Sequence, residues 1–169
     1  PRIRQVELNR LAGMTFAGSL RSMLRQDPDI AMIGEIRDTE TGNIAIQAAL
    51  TGHLVLSTIH TNSAIGTVSR LMDMGIEPFL ISSVLSCVIG QRLVRKVCQD
   101  CAETWTPPAK ALTFWGLEPD ENANFLKAKG CSRCNHTGYR GRIGIYEVLK
   151  VDAELQTLIA NGASEAALK

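Results

Sequence analysis

Two short apolar segments with a helical pattern between them constrain the fold of this chain most strongly. Ile30–Ile33 is wholly apolar, and residues 53–58 form a second predicted buried strand with an apolar centre at 54–56. The stretch from Thr39 to Gly52 between them has helical periodicity and ends at a glycine. Strands that alternate with helices of this length predict a parallel α/β sheet, and wholly apolar strands predict a sheet covered on both faces.

Further elements follow from apolar periodicity and from the positions of glycine and proline. We predict helices over residues 15–26, 64–74, 78–94 and 151–160, a short helix ending at Trp115, irregular chain over 116–129, an arginine-bearing loop over 138–142 and a strand over 143–149. The predicted domains are residues 1–97, 98–142 and 143–169, with the last packing on the first.

The composition excludes several classes of protein. With 169 residues, 45% hydrophobic and 21% charged, the chain is globular rather than disordered. A net charge of +1 and 5% aromatic residues give no support for nucleic-acid binding. The longest apolar stretches break at Ser82, Ser86 and Gly90, so no run approaches a membrane span.

Four of the five cysteines form two C-x-x-C pairs, Cys98 with Cys101 and Cys131 with Cys134. Each pair can present two thiolates to one tetrahedral ion, which predicts a structural zinc site. Disulfides are the alternative, but the absence of a signal peptide favours a reducing compartment. Cys87 stands in an apolar stretch and is predicted to be an inert core residue.

Polar side chains follow both predicted strands. Glu35 lies just beyond the first strand, as in a Walker B element, where a carboxylate can hold a magnesium shell or polarise water. An acid merely solvated at a strand end is the alternative. His60 follows the second strand, which predicts a phosphate sensor or a partner of the carboxylate. His53, at the start of that strand, either supports this site or caps the preceding helix.

Arginine outnumbers lysine twelve to six, which suggests recognition of phosphate or carboxylate. Phosphoryl transfer needs such charge, often across a subunit boundary. The candidates form three pairs: Arg21 with Arg25, Arg37 with Arg70, and Arg140 with Arg142. The alternative for each is a salt bridge with a nearby acid, for which the candidates are Asp27, Asp29, Asp38, Glu40 and Asp73.

No G-x-x-x-x-G-K-[ST] loop occurs in the chain, so the sequence lacks the loop that binds nucleotide phosphates in P-loop proteins. The chain begins at Pro1 and its final helical pattern stops at Lys169. We therefore expect a piece of a longer protein, with any such loop upstream, and we expect this piece to be inactive as an ATPase by itself.

Several longer motifs carry a resemblance to a known family. They are LRQDPD at 24–29, IGEIRD at 33–38, TGHLVLSTIHTN at 51–62, QRLVR at 91–95 before the first cysteine pair, and GCSRCNHTGYRGR at 130–142. Together they resemble the secretion ATPase superfamily of bacterial type II secretion and type IV pilus assembly, over essentially the whole chain. The tetracysteine module is typical of its secretion and pilus-extension branch, and residues 74–83 are most similar to the type II secretion members, the general secretion pathway protein E group.

The resemblance implies a RecA-like P-loop ATPase core, truncated and lacking Walker A, followed by a small zinc-binding α+β module. It makes Glu35 the Walker B glutamate and His60 the histidine-box residue. It assigns phosphate or interface contacts to Arg21, Arg25, Arg37 and Arg70, and a contact near the nucleotide base to Arg142. The sequence departs from the usual pattern at Ile59 and at Gly18, where leucine and arginine are commoner.

The resemblance also implies a working context. Members form hexamers that hydrolyse ATP with Mg²⁺ on the cytoplasmic face of the bacterial inner membrane, where they drive a platform protein and bind a cytoplasmic anchor protein. The alternative is a zinc-stabilised interaction module that docks to a membrane assembly without catalysis. A phosphate-binding loop upstream of Pro1 would distinguish the two.

Overall fold

The structure, a computed structural model, describes residues 3–118 and 123–168, with Arg10 described by its backbone alone. Helices and strands alternate through the first half. In chain order the elements are α1 (Phe16–Leu24), β1 (Ile30–Ile33), α2 (Thr39–Leu50), β2 (Leu54–Ser57), α3 (Gly66–Asp73), α4 (Pro78–Val84), β3 (Cys87–Val97), β4 (Ala102–Thr104), α5 (Ala109–Phe114), β5 (Leu126–Ala128), β6 (Tyr139–Lys150) and α6 (Ala153–Ala160). Single 3₁₀ turns form at Arg10–Ala12 and Ser132–Cys134.

The chain divides into two compact units. One comprises the residues up to Gly90 together with those from Glu147 onward, and the other spans Gln91–Tyr146. The chain passes between the units within β3 and within β6, which pair with each other. The three domains predicted from the sequence, with boundaries after residues 97 and 142, stay a prediction.

The first unit contains the parallel pair β1–β2. Ile30 lies opposite Leu54 and Ile33 lies opposite Ser57. The chain between the strands forms α2, as a parallel connection requires. The predicted α/β arrangement of strand, helix and parallel strand is therefore confirmed.

Helices cover one face of this pair. Ile33 is 2% exposed and packs in a cluster with Leu20 of α1 and Ile44 of α2. Among the described residues nothing covers the other face, since Met32 is 71% exposed and Leu54 is 54% exposed. Within this part of the chain, the prediction of a sheet covered on both faces is therefore not met. The reason is that α1 and α2 both pack on the same side of the strands.

A second core joins α3, α4 and α6. Val68, Ile81 and Ile159 are 0% exposed and belong to one cluster, which also includes Ile76. Gly42 of α2 lies so close to this cluster that a Cβ there would be 2.7 Å from the Cδ1 atom of Ile76. Through Ile159, α6 therefore packs with α3 and α4.

Most predicted helices form within a few residues of their expected limits. Their starts are set by polar caps: Thr15 accepts the N–H of Gly18 before α1, and Asp152 accepts the N–H of Leu155 before α6. The predicted helix over 78–94 is wrong, because α4 ends at Val84 and β3 begins at Cys87. A short apolar run fits a helix or a strand equally well, and pairing with β6 selects the strand.

Three further predictions are corrected. Cys87 is exposed rather than buried in the core. The predicted arginine loop over 138–142 is the beginning of β6, apart from Gly138, because pairing with β3 extends this strand. The predicted irregular stretch over 116–129 contains β5, which pairs antiparallel with β4, while its residues 119–122 lie outside the described chain.

Within the described residues, no helix is both long enough and apolar enough to cross a bilayer.

The start of α2 yields a test of stability. Asp38 Oδ1 accepts the backbone N–H of Thr41 at 2.7 Å, and this hydrogen bond lowers the pKa of Asp38 below its usual value. Replacing Asp38 with alanine should lower the free energy of unfolding by about 1 kcal/mol at neutral pH, as measured by urea unfolding. Asp38→Asn is the control, because asparagine caps a helix about as well.

The same cap should depend on pH in a defined direction. Because the folded pKa of Asp38 is the lower one, its contribution is complete above the unfolded pKa, about 3.9, and is lost as the pH falls through the folded value. The gap in unfolding free energy between wild type and Asp38→Ala should therefore narrow in acid. A gap of constant size would contradict this account.

Candidate functional site

Parallel pairing brings the ends of β1 and β2 to one edge of the first unit. Glu35 lies two residues beyond β1 and His60 three residues beyond β2. Two hydrogen bonds join the segments that follow the strands: the N–H of Ile36 donates to the carbonyl of Thr58 at 3.0 Å, and Thr58 Oγ1 donates to the carbonyl of Gly34 at 2.7 Å. The two segments are therefore held side by side.

The carboxylate of Glu35 lies between two cationic or polar partners. His60 Nε2 is 3.1 Å from Glu35 Oε1, and Arg37 Nε is 2.5 Å from Glu35 Oε2. The side chain of Glu35 is 20% exposed, whereas those of His60 and Arg37 are 88% and 77% exposed. The predicted convergence of the acid and the imidazole is confirmed. The direct pairing of Arg37 with Glu35 was not predicted, although their spacing of two residues at a strand end allows it.

A cavity of about 370 Å³ opens at this edge. Its lining combines one carboxylate, one imidazole and two guanidinium groups with two isoleucines: Glu35, Ile36, Arg37, Ile59, His60 and Arg70. Arg70 is contributed by α3. A carboxylate can hold a hard cation or a water molecule, and guanidinium groups bind anionic oxygens, so the lining suits a phosphate ligand with a metal ion.

Other predicted site residues lie apart from this lining. Arg21 pairs with Glu40 at 2.9 Å, which is the salt-bridge alternative. Arg25 is exposed at the end of α1. The Nδ1 atom of His53 lies 2.9 Å from the carbonyl oxygen of Ala48 at the end of α2, which is the helix-capping alternative.

Two predicted arginines belong to the second unit, on β6. The guanidinium of Arg140 lies 3.7 Å from the carboxylate of Asp100. Asp100 was not among the salt-bridge partners considered from the sequence. Arg142 is exposed near the beginning of the same strand. A contact of Arg142 with a nucleotide base stays a prediction.

The second unit contains the four paired cysteines as one cluster. The sulfur atoms of Cys98, Cys101, Cys131 and Cys134 all lie within 4.8 Å of one another, and none is in a disulfide. Cys98 and Cys101 precede β4, while Cys131 caps and Cys134 ends the 3₁₀ turn before β6. The predicted gathering of the two pairs is confirmed, and the cluster could hold a metal ion.

The electrostatics of the cluster suit a cation. The backbone N–H groups of Cys131 and Gly138 donate to Cys134 Sγ, each at 3.2 Å. The bond from Cys131 is the main reason that the pKa of the Cys134 thiol falls to about 6, whereas burial raises the pKa of Cys101 to about 11 and also raises that of Cys98. One thiolate is thus stabilised by the protein, and a bound cation would offset the desolvation of the others.

The turns around the cluster need glycine. Gly130 has φ +108°, and a Cβ there would lie 2.7 Å from the carbonyl oxygen of His136. The N–H of Gly130 also donates to Cys101 Sγ at 3.3 Å. The backbone is therefore folded tightly against the sulfur atoms, as a small cation site with four sulfur ligands requires.

Comparisons with known proteins identify the family of the chain. The chain is 54% identical over 167 residues to the type II secretion system ATPase E of Vibrio cholerae, covering 99% of this chain and 33% of that protein. It is 52% identical over 170 residues to the type IV pilus assembly ATPase PilB of Myxococcus xanthus, covering 99% of this chain and 30% of that one. The chain therefore spans about a third of the length of these relatives.

Among solved structures, the crystal structure of the pilus retraction motor PilT with bound ADP matches with a TM-score of 0.58 at 29% identity, over 88% of this chain and 33% of that one. The model of the family described as "Type II/IV secretion system protein" matches residues 1–169. By its sequence and its fold, this chain belongs to the type II/IV secretion system protein family.

Proposed function

We propose that this chain is the C-terminal part of a hexameric ATPase that powers type II protein secretion or type IV pilus assembly by hydrolysing ATP to ADP and phosphate. The contact between Glu35 and His60 at the shared end of β1 and β2 is the observation that carries the proposal. Relatives named as ATPases, at more than 50% identity over nearly the whole chain, support it.

In this proposal Glu35 is the catalytic carboxylate. Its side chain is four-fifths buried, and both of its oxygens have partners, so its position is fixed before a ligand binds. Glu35 holds or polarises the water molecule that attacks the γ-phosphate, and His60 donates a hydrogen bond to that phosphate or to the carboxylate. When bound, Mg²⁺ neutralises the charge of the phosphate oxygens.

The arginines supply the remaining positive charge. Arg37 and Arg70 line the cavity and are proposed to contact phosphate oxygens. Because Arg37 already neutralises Glu35, phosphate binding would draw it away from the carboxylate and free one oxygen for water. Arg21 on α1 and Arg25 just beyond its end are proposed to contact phosphate or a subunit interface, and Arg142 is proposed to lie near the base. His53, just before β2, is proposed to support the site through its contact with the carbonyl of Ala48 in α2.

The cysteine cluster is proposed to hold one structural Zn²⁺. Four sulfur ligands leave no open position for a substrate, which is typical of structural rather than catalytic zinc. The truncated RecA-like core and this zinc module together make up the proposed architecture. The whole protein would act on the cytoplasmic face of the bacterial inner membrane, with a platform protein and a cytoplasmic anchor protein as partners and no role in nucleic-acid binding.

The carboxylate gives the first test. In the full-length protein, Glu35→Gln should reduce ATP turnover by at least about a hundredfold, because the amide cannot accept a proton or hold the cation equally well. Phosphate release at steady state measures the effect. Glu77→Gln is the matched control, since Glu77 is exposed and its side chain does not cap α4. A normal rate in Glu35→Gln would refute the proposed role.

The chain by itself gives a second test. It has no phosphate-binding loop, so we expect purified residues 1–169 to show no ATP turnover above background, with or without Mg²⁺. Phosphate release at high protein concentration is the measurement, and the full-length protein is the positive control. Magnesium-dependent turnover by the chain alone would contradict this proposal.

The cluster gives a third test. Cys98→Ser should lose most of the bound zinc and lower the melting temperature, because a structural ion contributes folding free energy directly. Metal content by mass spectrometry and thermal unfolding are the measurements. Cys87→Ser is the matched control, since Cys87 is exposed and outside the cluster. Unchanged zinc content in Cys98→Ser would count against a four-cysteine site.

A further inference from the structure

A carboxylate on β6 contacts the loop that follows His60. Glu147 Oε2 accepts the backbone N–H of Ala64 at 2.8 Å, although the two residues are 83 positions apart in the sequence. Ala64 is 1% exposed, so its N–H group depends on a partner from the protein. Loss of that partner would leave a buried donor unpaired or would force the loop to move.

The loop between His60 and α3 is held together internally. Thr61 Oγ1 donates to the carbonyl of Ser63 at 3.0 Å and lies 3.1 Å from Thr67 Oγ1. Ser63 Oγ accepts the N–H of Gly66 at 3.1 Å. These hydrogen bonds make the loop rigid. A hydrogen bond that fixes Ala64 therefore also restrains the segment back to His60.

Glu147 also adds negative charge near the start of α3, where Ser63 Oγ already accepts the first N–H of the helix. The residue before α3 is Ile65, whose side chain makes no capping hydrogen bond. The carboxylate of Glu147 binds the preceding N–H, close to the start of the helix, where negative charge is favourable. Gly90 of β3 also lies against the Glu147 carboxylate, since a Cβ at Gly90 would be 3.2 Å from Glu147 Oε2. The carboxylate thus fits closely between β3 and the loop.

We propose that Glu147 is a positioning residue of the nucleotide site. Its carboxylate accepts the N–H of Ala64 and so fixes the loop that begins after His60. The fixed loop in turn keeps His60 Nε2 at 3.1 Å from Glu35 Oε1. This inference rests on the proposed ATPase function. Glu147 is not among the residues that line the cavity, so we infer that its effect passes through the loop.

Substitutions in the full-length protein separate the hydrogen bond from the charge. Glu147→Gln keeps an oxygen at the same reach but has no charge, whereas Glu147→Asp keeps the charge but is one methylene too short. We expect Glu147→Asp and Glu147→Ala to lower kcat about tenfold with KM for ATP within about twofold of wild type, and Glu147→Gln to retain most of the rate. The control is Glu154→Ala, an exposed acid on α6.

Hydrogen exchange at the Ala64 amide gives a second readout. Exchange should be faster than wild type in Glu147→Asp and near wild type in Glu147→Gln, with global melting temperatures alike. Wild-type kcat in Glu147→Asp, or an equal loss of kcat in Glu147→Gln, would overturn the positioning role. If Glu147→Ala does not fold, the aspartate and glutamine variants still test the positioning role of Glu147.

The failure of this inference differs from the failure of the proposed function. His60→Ala and Glu35→Gln should both reduce turnover if the site is catalytic. Reduced turnover in these two variants with wild-type kcat in Glu147→Asp would overturn only the role of Glu147. Normal turnover in both would overturn the proposed function, and the positioning role with it.

Discussion

The parallel pairing of β1 with β2 is the constraint on which the candidate site depends. Antiparallel strands would place their carboxyl ends at opposite edges, whereas parallel strands place them together. The register that sets Ile33 opposite Ser57 brings the segments containing Glu35 and His60 alongside each other. Two hydrogen bonds through Thr58 then hold these segments, and the helices on one face leave the edge open for a ligand. The backbone pairing therefore brings the Glu35 carboxylate and the His60 imidazole into contact.

The cysteine cluster depends on a different balance of forces. Burial disfavours thiolates, which raises the pKa of Cys98 and Cys101, while backbone N–H groups favour the thiolate of Cys134. Tight glycine turns direct the N–H of Gly130 at Cys101 Sγ and the N–H of Gly138 at Cys134 Sγ. In the proposed zinc-bound state, a cation at the centre would compensate all four sulfurs together. The second unit would then gain folding free energy from a bound ion, whereas the first unit is held by its two apolar clusters.

Local sequence patterns predicted the first unit well. The apolar segments became β1 and β2, the helix between them formed with an Asp38 cap, and Glu35 met His60. Prediction failed where partners are distant. Residues 87–94 fit a helix or a strand equally well, and β6 decided for the strand. The pairs of Arg21 with Glu40 and of Arg37 with Glu35 depend on side-chain directions that spacing alone leaves open.

By itself, the sequence determined the order of strands and helices from α1 to α4, the two cysteine pairs and the placement of an acid and a histidine after successive strands. Periodicity and short motifs encode these features, because neighbouring residues produce them. Tertiary structure decided which sheet face stays open, which residues pair with each arginine, and that Glu147 binds Ala64 across 83 positions. Contacts between residues far apart in the chain arise only from packing, and no local pattern records them.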